Sequence, residues 1–553
     1  MGEIRETAYL RELTATKQCE LMFALKVDIE SLGTLQEEMR AVRQLTDTVE
    51  SLLQHIMNKI KHSIKVMKEQ RSDCENKEVK INITLKKSSS RKHINPKMVL
   101  HDLINSTRNM EFQVFTQRFF VVVNAPLVKE MKLPLILYCN YSVQPIRLSM
   151  LFAENSVCQY SWYKSEDKLN WTKIANTYKY TIDDADIGHY LKLVCVPCNS
   201  ILTGPPAEIV SENKVERMGT LPTCPFEERH RFTTEKLDKN NFRVVSYNIL
   251  SNRYTEAKEQ FPYCSPQTLA IDYRKQLIAK ELTGYQADII CLQEVDSAIY
   301  TSYYKNEFKS KGYQSFYHRK GNKIPEGLTC FFNKSRFKKV DDHQIIYSTL
   351  IKNKSFTYLF NFVKSNVDLK ESFMKQLTSL QVTVLKLAWK KNEYIVLANT
   401  HLFYHPDAEL VRILQVNIAT TYLSSLCGKY SQNGEKVRLI FCGDFNSVPT
   451  SPVYEYMMNK RIERSHRIFE KTRNNIDLSH NFQFESAYGK PKYTNYTDDF
   501  KDCLDYIFVE KNKIKVDKVV PLPTEEELSQ HQGLPNDVFP SDHLALVTDL
   551  ELV

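Results

Sequence analysis

The chain has 553 residues, of which 42% are hydrophobic and 25% charged, and its formal net charge is +9. That length exceeds one core and sets an expectation of two or three domains, while no apolar run approaches the ~20 residues needed to span a bilayer, which excludes a helical membrane protein, and no membrane partner is expected. Thirteen cysteines, odd in number and irregularly spaced, exclude a secreted disulfide framework and point to reduced thiols inside a cell.

The first predicted unit, 1–76, opens with a strand at 21–27. Thr34 and Glu37 then read as a capping box that starts an amphipathic helix, because Leu35, Met39, Val42, Leu45, Val49, Leu52, Ile56 and Ile60 recur at three and four residues. Met1 to Arg11 lacks the apolar core of a signal peptide, and with Glu3, Glu6 and Glu12 it is too acidic for a mitochondrial presequence. From 77 to 210 the pattern changes to short alternating runs at 80–85, 112–123, 135–138, 159–163, 178–182 and 191–196, which predict a β-sandwich. Trp162-Tyr163-Lys164 followed by Asp186-Ile187-Gly188-His189-Tyr190 resembles the immunoglobulin-like pattern, with the cysteine displaced to Cys195. Cys195 and Cys198 form a lone C-x-x-C, read as two thiols in a strand and turn. No catalytic constellation falls in this domain, so its expected role is to position or grip a substrate. Residues 211–240, with Pro222 and Pro225, read as a linker.

The last unit, 241–553, mixes strands at 243–247, 289–293, 328–332, 381–388, 394–400, 438–441, 506–509 and 545–550 with helices at 273–283 and 408–426. Five of the strand ends carry polar chemistry: Ser246-Tyr247-Asn248, Leu292-Gln293-Glu294, Asn399-Thr400-His401, Gly443-Asp444-Phe445-Asn446 and Ser541-Asp542-His543. One Gly-Asp-Phe-Asn is a turn, but five such ends in one span are hard to explain as independent turns. Glu294, Asp444 and Asn446 offer only oxygen donors, which selects Mg²⁺, or Mn²⁺, over zinc. The basic charge is local as well. Residues 59–97 hold twelve Lys/Arg against four Asp/Glu, and 305–339 hold ten against two. A phosphate polymer such as RNA is the simplest partner for such clusters. The first window, with Lys86-Lys87-Ser88-Ser89-Ser90-Arg91-Lys92, reads as a basic linker or solvated face. The second reads as the contact surface, because Tyr303, Tyr304, Tyr313, Phe316, Tyr317, Phe331 and Phe332 interleave with its charges.

In this order the five fragments resemble the endonuclease/exonuclease/phosphatase superfamily, in its deadenylase-like branch, and within that branch the mitochondrial 2′,5′-phosphodiesterases. The resemblance spans 244–550. It implies an α+β fold class, with a four-layer α/β sandwich of DNase-I-like type preceded by the β-sandwich domain. It also implies that Glu294 is the principal metal ligand, that Asp444 and Asn446 hold the metal-bound site and its water, with Asp444 taking the proton from that water, and that Asp542 is a second carboxylate on the metal side. By the same resemblance His543 faces the scissile phosphate, Asp505 orients it and keeps it protonated, His401 is the other phosphate-facing histidine, and Asn248 orients ligands. The segment 493–501 resembles the deadenylase loop, in which the position of Phe500 stacks on adenine, with Tyr404, His405 and Pro406 as the opposite wall; Glu326-Gly327-Leu328 also matches the branch. The implied function is a Mg²⁺-dependent phosphodiesterase and 3′-exoribonuclease acting on 2′,5′-oligoadenylate and poly(A). A phosphoinositide phosphatase and a catalytically silent RNA-binding module are the alternatives. The expected partners are RNA and adenylate oligomers, with no obligate protein partner. The resemblance implies the mitochondrial matrix, and the acidic N-terminus leaves the cytoplasm as the alternative.

Overall fold

The computed structural model describes residues 6–14, 16–29, 32–69, 79–107, 109–217, 219–255, 260–321, 324–432 and 434–553. It divides into two compact units, Met1–Arg217 and Met218–Val553.

The first unit begins with a six-stranded sheet in the order Gly33–Gln44, Gln18–Ile29, Glu6–Leu13, Gln117–Val123, Met110–Val114, Ile83–Lys87. The predicted helix starts only at Val49 and runs to Glu69. Leu35 and Met39 are buried in a strand instead. A spacing of four satisfies the period of a strand as well as that of a helix, and Gly33, at φ +85°, turns the chain so that Thr34 pairs with Asp28 across a hairpin rather than capping anything. On the helix Leu52, Ile56, Ile60 and Ile64 share one core with Leu21, Phe23 and Met39. The runs 80–85 and 112–123 belong to this sheet, so the β-sandwich begins after it. Lys86 bridges to His93, which makes the basic run between them a tight turn rather than a linker; residues 70–78 of that window lie outside the described residues.

The sandwich is built from Leu127–Lys132 with Arg147–Leu151 against a sheet ordered Thr172–Ala175, Gln159–Ser165, Tyr190–Val196, Ala207–Val210. Trp162 is fully buried among Leu191, Leu193 and Cys195, and its Nε1 donates to Thr177 O at 2.9 Å. The expected linker is largely built into the two bodies. Val215–Glu216 pairs with Leu137–Tyr138 of the sandwich, and Phe226–His230 is a helix of the second unit whose buried Arg229 donates to Pro521 O and Ala545 O. Proline content alone had suggested a free connector.

In the second unit two six-stranded sheets pack face to face. One is ordered Tyr313–Arg319, Glu326–Asn333, Ile289–Asp296, Asn241–Asn248, Leu546–Leu552, Ile514–Val519, the other Phe337–Ile346, Ser379–Leu387, Glu393–His401, Lys436–Asp444, Asp505–Glu510, Phe484–Ser486. Period two explains the layers. Phe242, Val244, Ile289, Cys291, Leu397, Ile440, Cys442, Ile507 and Val509 meet between the sheets. The alternate residues Val245, Tyr247, Ile290 and Leu292 pack against Ile278, Leu282 and Tyr285 on one outer side. On the other side Val396, Ala398, Leu439 and Phe441 pack against Ile413 and its neighbours on the helix Glu409–Tyr430. The result is the expected four-layer sandwich. Gly443 is fixed by a close approach: at φ +140° a Cβ there would lie 2.0 Å from Thr400 O on the adjacent parallel strand. Gly443→Ala is therefore expected to cost on the order of 3 kcal/mol, read as a drop in the midpoint of denaturant unfolding; an unchanged midpoint would mean the strand can yield there.

The second basic window does not form the expected surface. Tyr304, Phe331 and Phe332 are buried, Tyr300 stacks on Tyr317 at 4.9 Å, and Phe316 stacks on Phe332 at 6.1 Å. Several of the charges pair locally, Lys311 with Glu307, Arg336 with Asp288 and Lys339 with Asp342. The rings here serve the core: Tyr304 from a helical turn, and Phe331 and Phe332 from opposite faces of the strand Glu326–Asn333, which is buried on both sides.

Candidate active site

Four of the expected residues lie on the inner face of the sandwich at one end of its sheets, and the inter-strand register shows why. Asn248 continues the inward series of Phe242 and Val244, His401 that of Leu397, Asp444 that of Ile440 and Cys442, and Asp505 that of Ile507. His401 pairs with Asp444 and Asp444 with Asp505 across adjacent strands. Gln293 Nε2 donates to Asn399 Oδ1 at 2.8 Å, and Asn248 Nδ2 donates to Asp444 Oδ2 at 3.0 Å, so the two sheets are tied together directly beside the site.

Glu294 is the exception to the alternation. By parity it would face the helical layer. The register between Ile289–Asp296 and Glu326–Asn333 slips between Leu292 and Val295, and Glu294 takes φ +57°. This bulge turns the carboxylate into the site, where Oε1 accepts from Asn248 Nδ2 at 3.1 Å and Oε2 from Ser251 N at 2.9 Å. A non-glycine residue held in the left-handed region costs ~1–3 kcal/mol, a strain typical of functional positions. Asn446, at φ +46°, is another such residue. Its N–H donates to Asp444 Oδ1 at 2.8 Å and its Nδ2 to Leu402 O at 3.1 Å, which leaves its amide oxygen as the available donor atom for a ligand.

The electrostatics divide the groups into two kinds. Burial first, then the Glu326 and Asp542 carboxylates, push the Glu294 pKa up to about 8. Burial and Asp505 push Asp444 up to about 6. Burial alone would lower His543, but Asp505, Asp542 and Asp444 outweigh it and hold the imidazole protonated well above its usual range. His401 goes the opposite way, held neutral by burial and by the charges of Lys320 and His543. His543 Nδ1 donates to Asp505 Oδ2 at 2.8 Å, and its Nε2 lies 3.7 Å from Asp444 Oδ2. His401 Nε2 is 3.4 Å from the same Asp444 oxygen and 4.0 Å from Glu294 Oε1.

A metal ion fits the carboxylate side of this cluster. Glu294, Asp444, Asn446 and Asp542 offer the hard oxygen donors that Mg²⁺ takes, and a buried, mutually repelling carboxylate group is stabilised by a cation. Asp444, Asp505 and His543 also bring three ligand atoms within 4.8 Å of one another. A proton already occupies His543 Nδ1 in its bond to Asp505, so these three serve better as a hydrogen-bonded relay than as a ligand set.

Asp542 is half-buried and accepts from Asn495 Nδ2 at 3.3 Å. Phe500 tips the hairpin between Asn495–Tyr496 and Lys501–Asp502 with its residue 42% exposed, a ring left open to solvent. That hairpin is fastened to the Ser541-Asp542-His543 segment by Tyr496 N to Asp542 O at 2.9 Å and Leu544 N to Thr494 O at 2.8 Å. His405 and Pro406 are exposed on the loop after His401, whose carbonyls are braced by the Arg412 guanidinium; His405 stacks on Phe403 at 6.2 Å.

Several supporting residues were assigned no role from the sequence. Thr494 Oγ1 donates to Asp505 Oδ2 at 2.6 Å and fixes the carboxylate that holds His543. Arg274, fully buried, donates to Ile249 O, Leu250 O and Pro540 O, which pins the segments after Asn248 and before Ser541. Tyr254 and Lys320 both donate to Glu326 Oε1, at 3.1 and 3.2 Å, beside a pocket that Glu294, Leu328 and His401 also line. Arg274 could have been found only as a charge inside an otherwise helical apolar pattern.

The model of the Endonuclease/Exonuclease/phosphatase family matches residues 245–543, the span that holds this whole constellation. The chain belongs to that family. It is a hydrolase of phosphodiester bonds. Among relatives within or close to the family, the chain is 34% identical over 469 residues to the protein named 2′,5′-phosphodiesterase 12 of Homo sapiens, covering 79% of this chain and 75% of that one. It is 28% identical to the CCR4-Not complex 3′-5′-exoribonuclease subunit Ccr4 of Kluyveromyces lactis, over 60% of this chain and 44% of that protein. A solved structure of ANGEL2, a 2′,3′-cyclic phosphatase, aligns at 24% identity and TM-score 0.48 over 57% of this chain and 97% of that one.

Proposed function

We propose that this chain is a Mg²⁺-dependent phosphodiesterase and 3′-exoribonuclease that removes AMP from 2′,5′-oligoadenylate and from poly(A), with Mn²⁺ as a substitute ion. The reading rests on one observation above the others: the oxygen cluster of Glu294, Asp444 and Asn446 and the Asp505–His543 pair converge at one sheet end, and the Phe500 hairpin is fastened to the same His543 segment. The names of the two relatives point to the same substrate class.

When bound, the metal polarises a phosphoryl oxygen and supplies positive charge where the transition state gathers negative charge. The chain's own residues do the rest. Asp444 accepts the proton of the attacking water; the new P–O bond forms as the bond to the departing ribose oxygen breaks. His543, charged and aimed by Asp505, donates to the equatorial oxygens, and such a donor is worth ~10²–10³ in kcat. Asn248, bonded to both Glu294 and Asp444, keeps the two carboxylates at fixed separation. Phe500 stacks on the terminal adenine, with His405 and Pro406 on the facing loop.

Incubation with 2′,5′-triadenylate, oligo(A) and an inositol polyphosphate, each in Mg²⁺ and in EDTA, tests the proposal: AMP release from both adenylates, abolished by EDTA, is expected. Phosphate release from the inositol polyphosphate alone would replace it with the phosphatase reading. Phe500→Ala is expected to cost ~1–3 kcal/mol of stacking, ten- to hundredfold in kcat/KM, and to lower the preference for oligo(A) over oligo(U). An unchanged A-to-U ratio would remove Phe500 from the base site. We also propose the mitochondrial matrix as the site of action, tested by fractionation of cells expressing the full chain.

A further inference from the structure

We propose that the outer face of the sandwich sheet formed by Gln159–Ser165 and Tyr190–Val196 is a binding surface for single-stranded RNA, separate from the catalytic centre and reading no base sequence. The choice of RNA rests on the function proposed above; the surface itself rests on the following geometry.

Along these two strands Trp162, Leu191 and Leu193 point into the sandwich core, so Tyr163, Tyr190 and Lys192 point out. Register places Tyr163 opposite Lys192 and Ser165 opposite Tyr190, so both outward rings belong to one strip, and Lys173 lies opposite Tyr163 from the other side. The lysines lie over rings. Lys168 is 4.1 Å and Lys214 5.3 Å from the Tyr190 centroid, Lys192 is 4.5 Å from that of Trp171 and 5.5 Å from that of Tyr163, and Lys173 is 5.9 Å from that of Tyr163. These five contacts fall between residues 163 and 214, on one face, and use one of the three tryptophans in the chain.

Three of the lysines over these rings are free to meet an anion, with exposed Glu166, Asp167, Glu208 and Glu212 among their neighbours in sequence and on the sheet. Glu208 pairs with Lys192 at 3.4 Å and Glu166 with His189 at 3.5 Å, but Lys168, Lys173 and Lys214 have no carboxylate partner among the described residues. Exposed cation–π contacts are worth only ~0.5–1 kcal/mol each, less than the ~1–3 kcal/mol of a base stacked on an aromatic ring. A nucleotide can therefore exchange places with a lysine. The base takes the ring, and the displaced ammonium, on its flexible stem, meets the phosphate alongside. A flat, twisted sheet face with rings and cations alternating suits an extended single strand, whose successive bases each offer a π-face.

The test uses the full chain in EDTA, which halts the proposed hydrolysis, and reads anisotropy of a labelled long oligo(A) across a salt series. The variant Lys168→Ala/Lys173→Ala/Lys214→Ala changes three exposed side chains and leaves the core untouched; Trp171→Leu removes a ring instead of charge. The triple variant is expected to bind at least about tenfold more weakly and to lower the salt slope by about 2, at ~0.7 per phosphate contact. In Mg²⁺ its hydrolysis of 2′,5′-triadenylate is expected to stay at the wild-type rate, because none of the three lysines belongs to the unit that holds the catalytic cluster. Equal affinity and equal slope in wild type and triple variant would overturn the proposal, as would equally tight binding of poly-L-glutamate, which would mark a surface for acidic protein. If the wild-type chain cleaves no adenylate and yet the triple variant loses oligo(A) binding, the catalytic reading falls and this surface stands.

Discussion

Glu294→Gln is expected to lower turnover on 2′,5′-triadenylate on the order of 10³-fold at saturating Mg²⁺ while leaving the fold intact. A metal at a phosphoryl group supplies several kcal/mol, and each 1.36 kcal/mol is a factor of ten in rate, so loss of its principal carboxylate removes ~4 kcal/mol. Glutamine keeps the shape, but its single amide oxygen can accept from only one of Asn248 Nδ2 and Ser251 N, the two donors that Glu294 satisfies with separate oxygens. It lacks the charge that would hold the ion. The same substitution removes a buried carboxylate from the neighbourhood of Glu326 and Asp542, whose repulsion with burial raises the Glu294 pKa. In EDTA the variant is therefore expected to melt close to wild type, the relieved repulsion offsetting the lost hydrogen bond, and the rise in Tm that Mg²⁺ gives wild type should vanish. A variant that retains a tenth of wild-type kcat, or that is still stabilised by Mg²⁺, would show that Glu294 is not the ligand.

Asp505→Asn is expected to reduce kcat by ~10²–10⁴ and to change its dependence on pH. In the proposed mechanism Asp505 is a positioning residue, acting through His543, whose Nδ1 it touches at 2.8 Å. An amide at 505 keeps an oxygen for that bond but removes the largest of the influences raising the His543 pKa. The sign follows directly. A histidine whose pKa is raised on folding contributes stability that is complete below the unfolded value of about 6.5 and is lost as pH rises through the folded value. Activity that needs the charged ring is lost over that same alkaline range. In Asp505→Asn the alkaline limb of the kcat profile should move to lower pH, toward neutrality, and the variant should lose the extra stability that wild type has there. A purely structural role for Asp505 would lower kcat uniformly at every pH, and that outcome would overturn the assignment.

The sequence by itself determined the four-layer catalytic body and most of its polar ends. Strands with apolar alternation that end in Asn248, His401 and Asp444 place those residues on the inner face once the inward series is extended in steps of two, by four residues from Val244 and from Leu397 and by two from Cys442. Period two is a local property of the backbone, and it survives whatever the rest of the chain does. Glu294 was legible only as part of a motif, because its direction depends on a bulge against Glu326–Asn333, and a bulge is decided by the partner strand. Leu35 and Met39 were misread for a related reason: their spacing of four suits both a strand and a helix, and the hairpin across Gly33 settled it. The basic windows show the same limit on a larger scale. In 305–339 the strand Glu326–Asn333 is covered on both faces, so the consecutive rings of Phe331 and Phe332 enter two different cores. In the sandwich Tyr163, Lys173, Lys192 and Lys214 are scattered through the sequence and become one surface only through the register of three strands and the turn that follows them. Neighbours along a strand point apart and neighbours across strands point together, so the faces that hold the site and the proposed RNA surface could be assembled only by tertiary pairing.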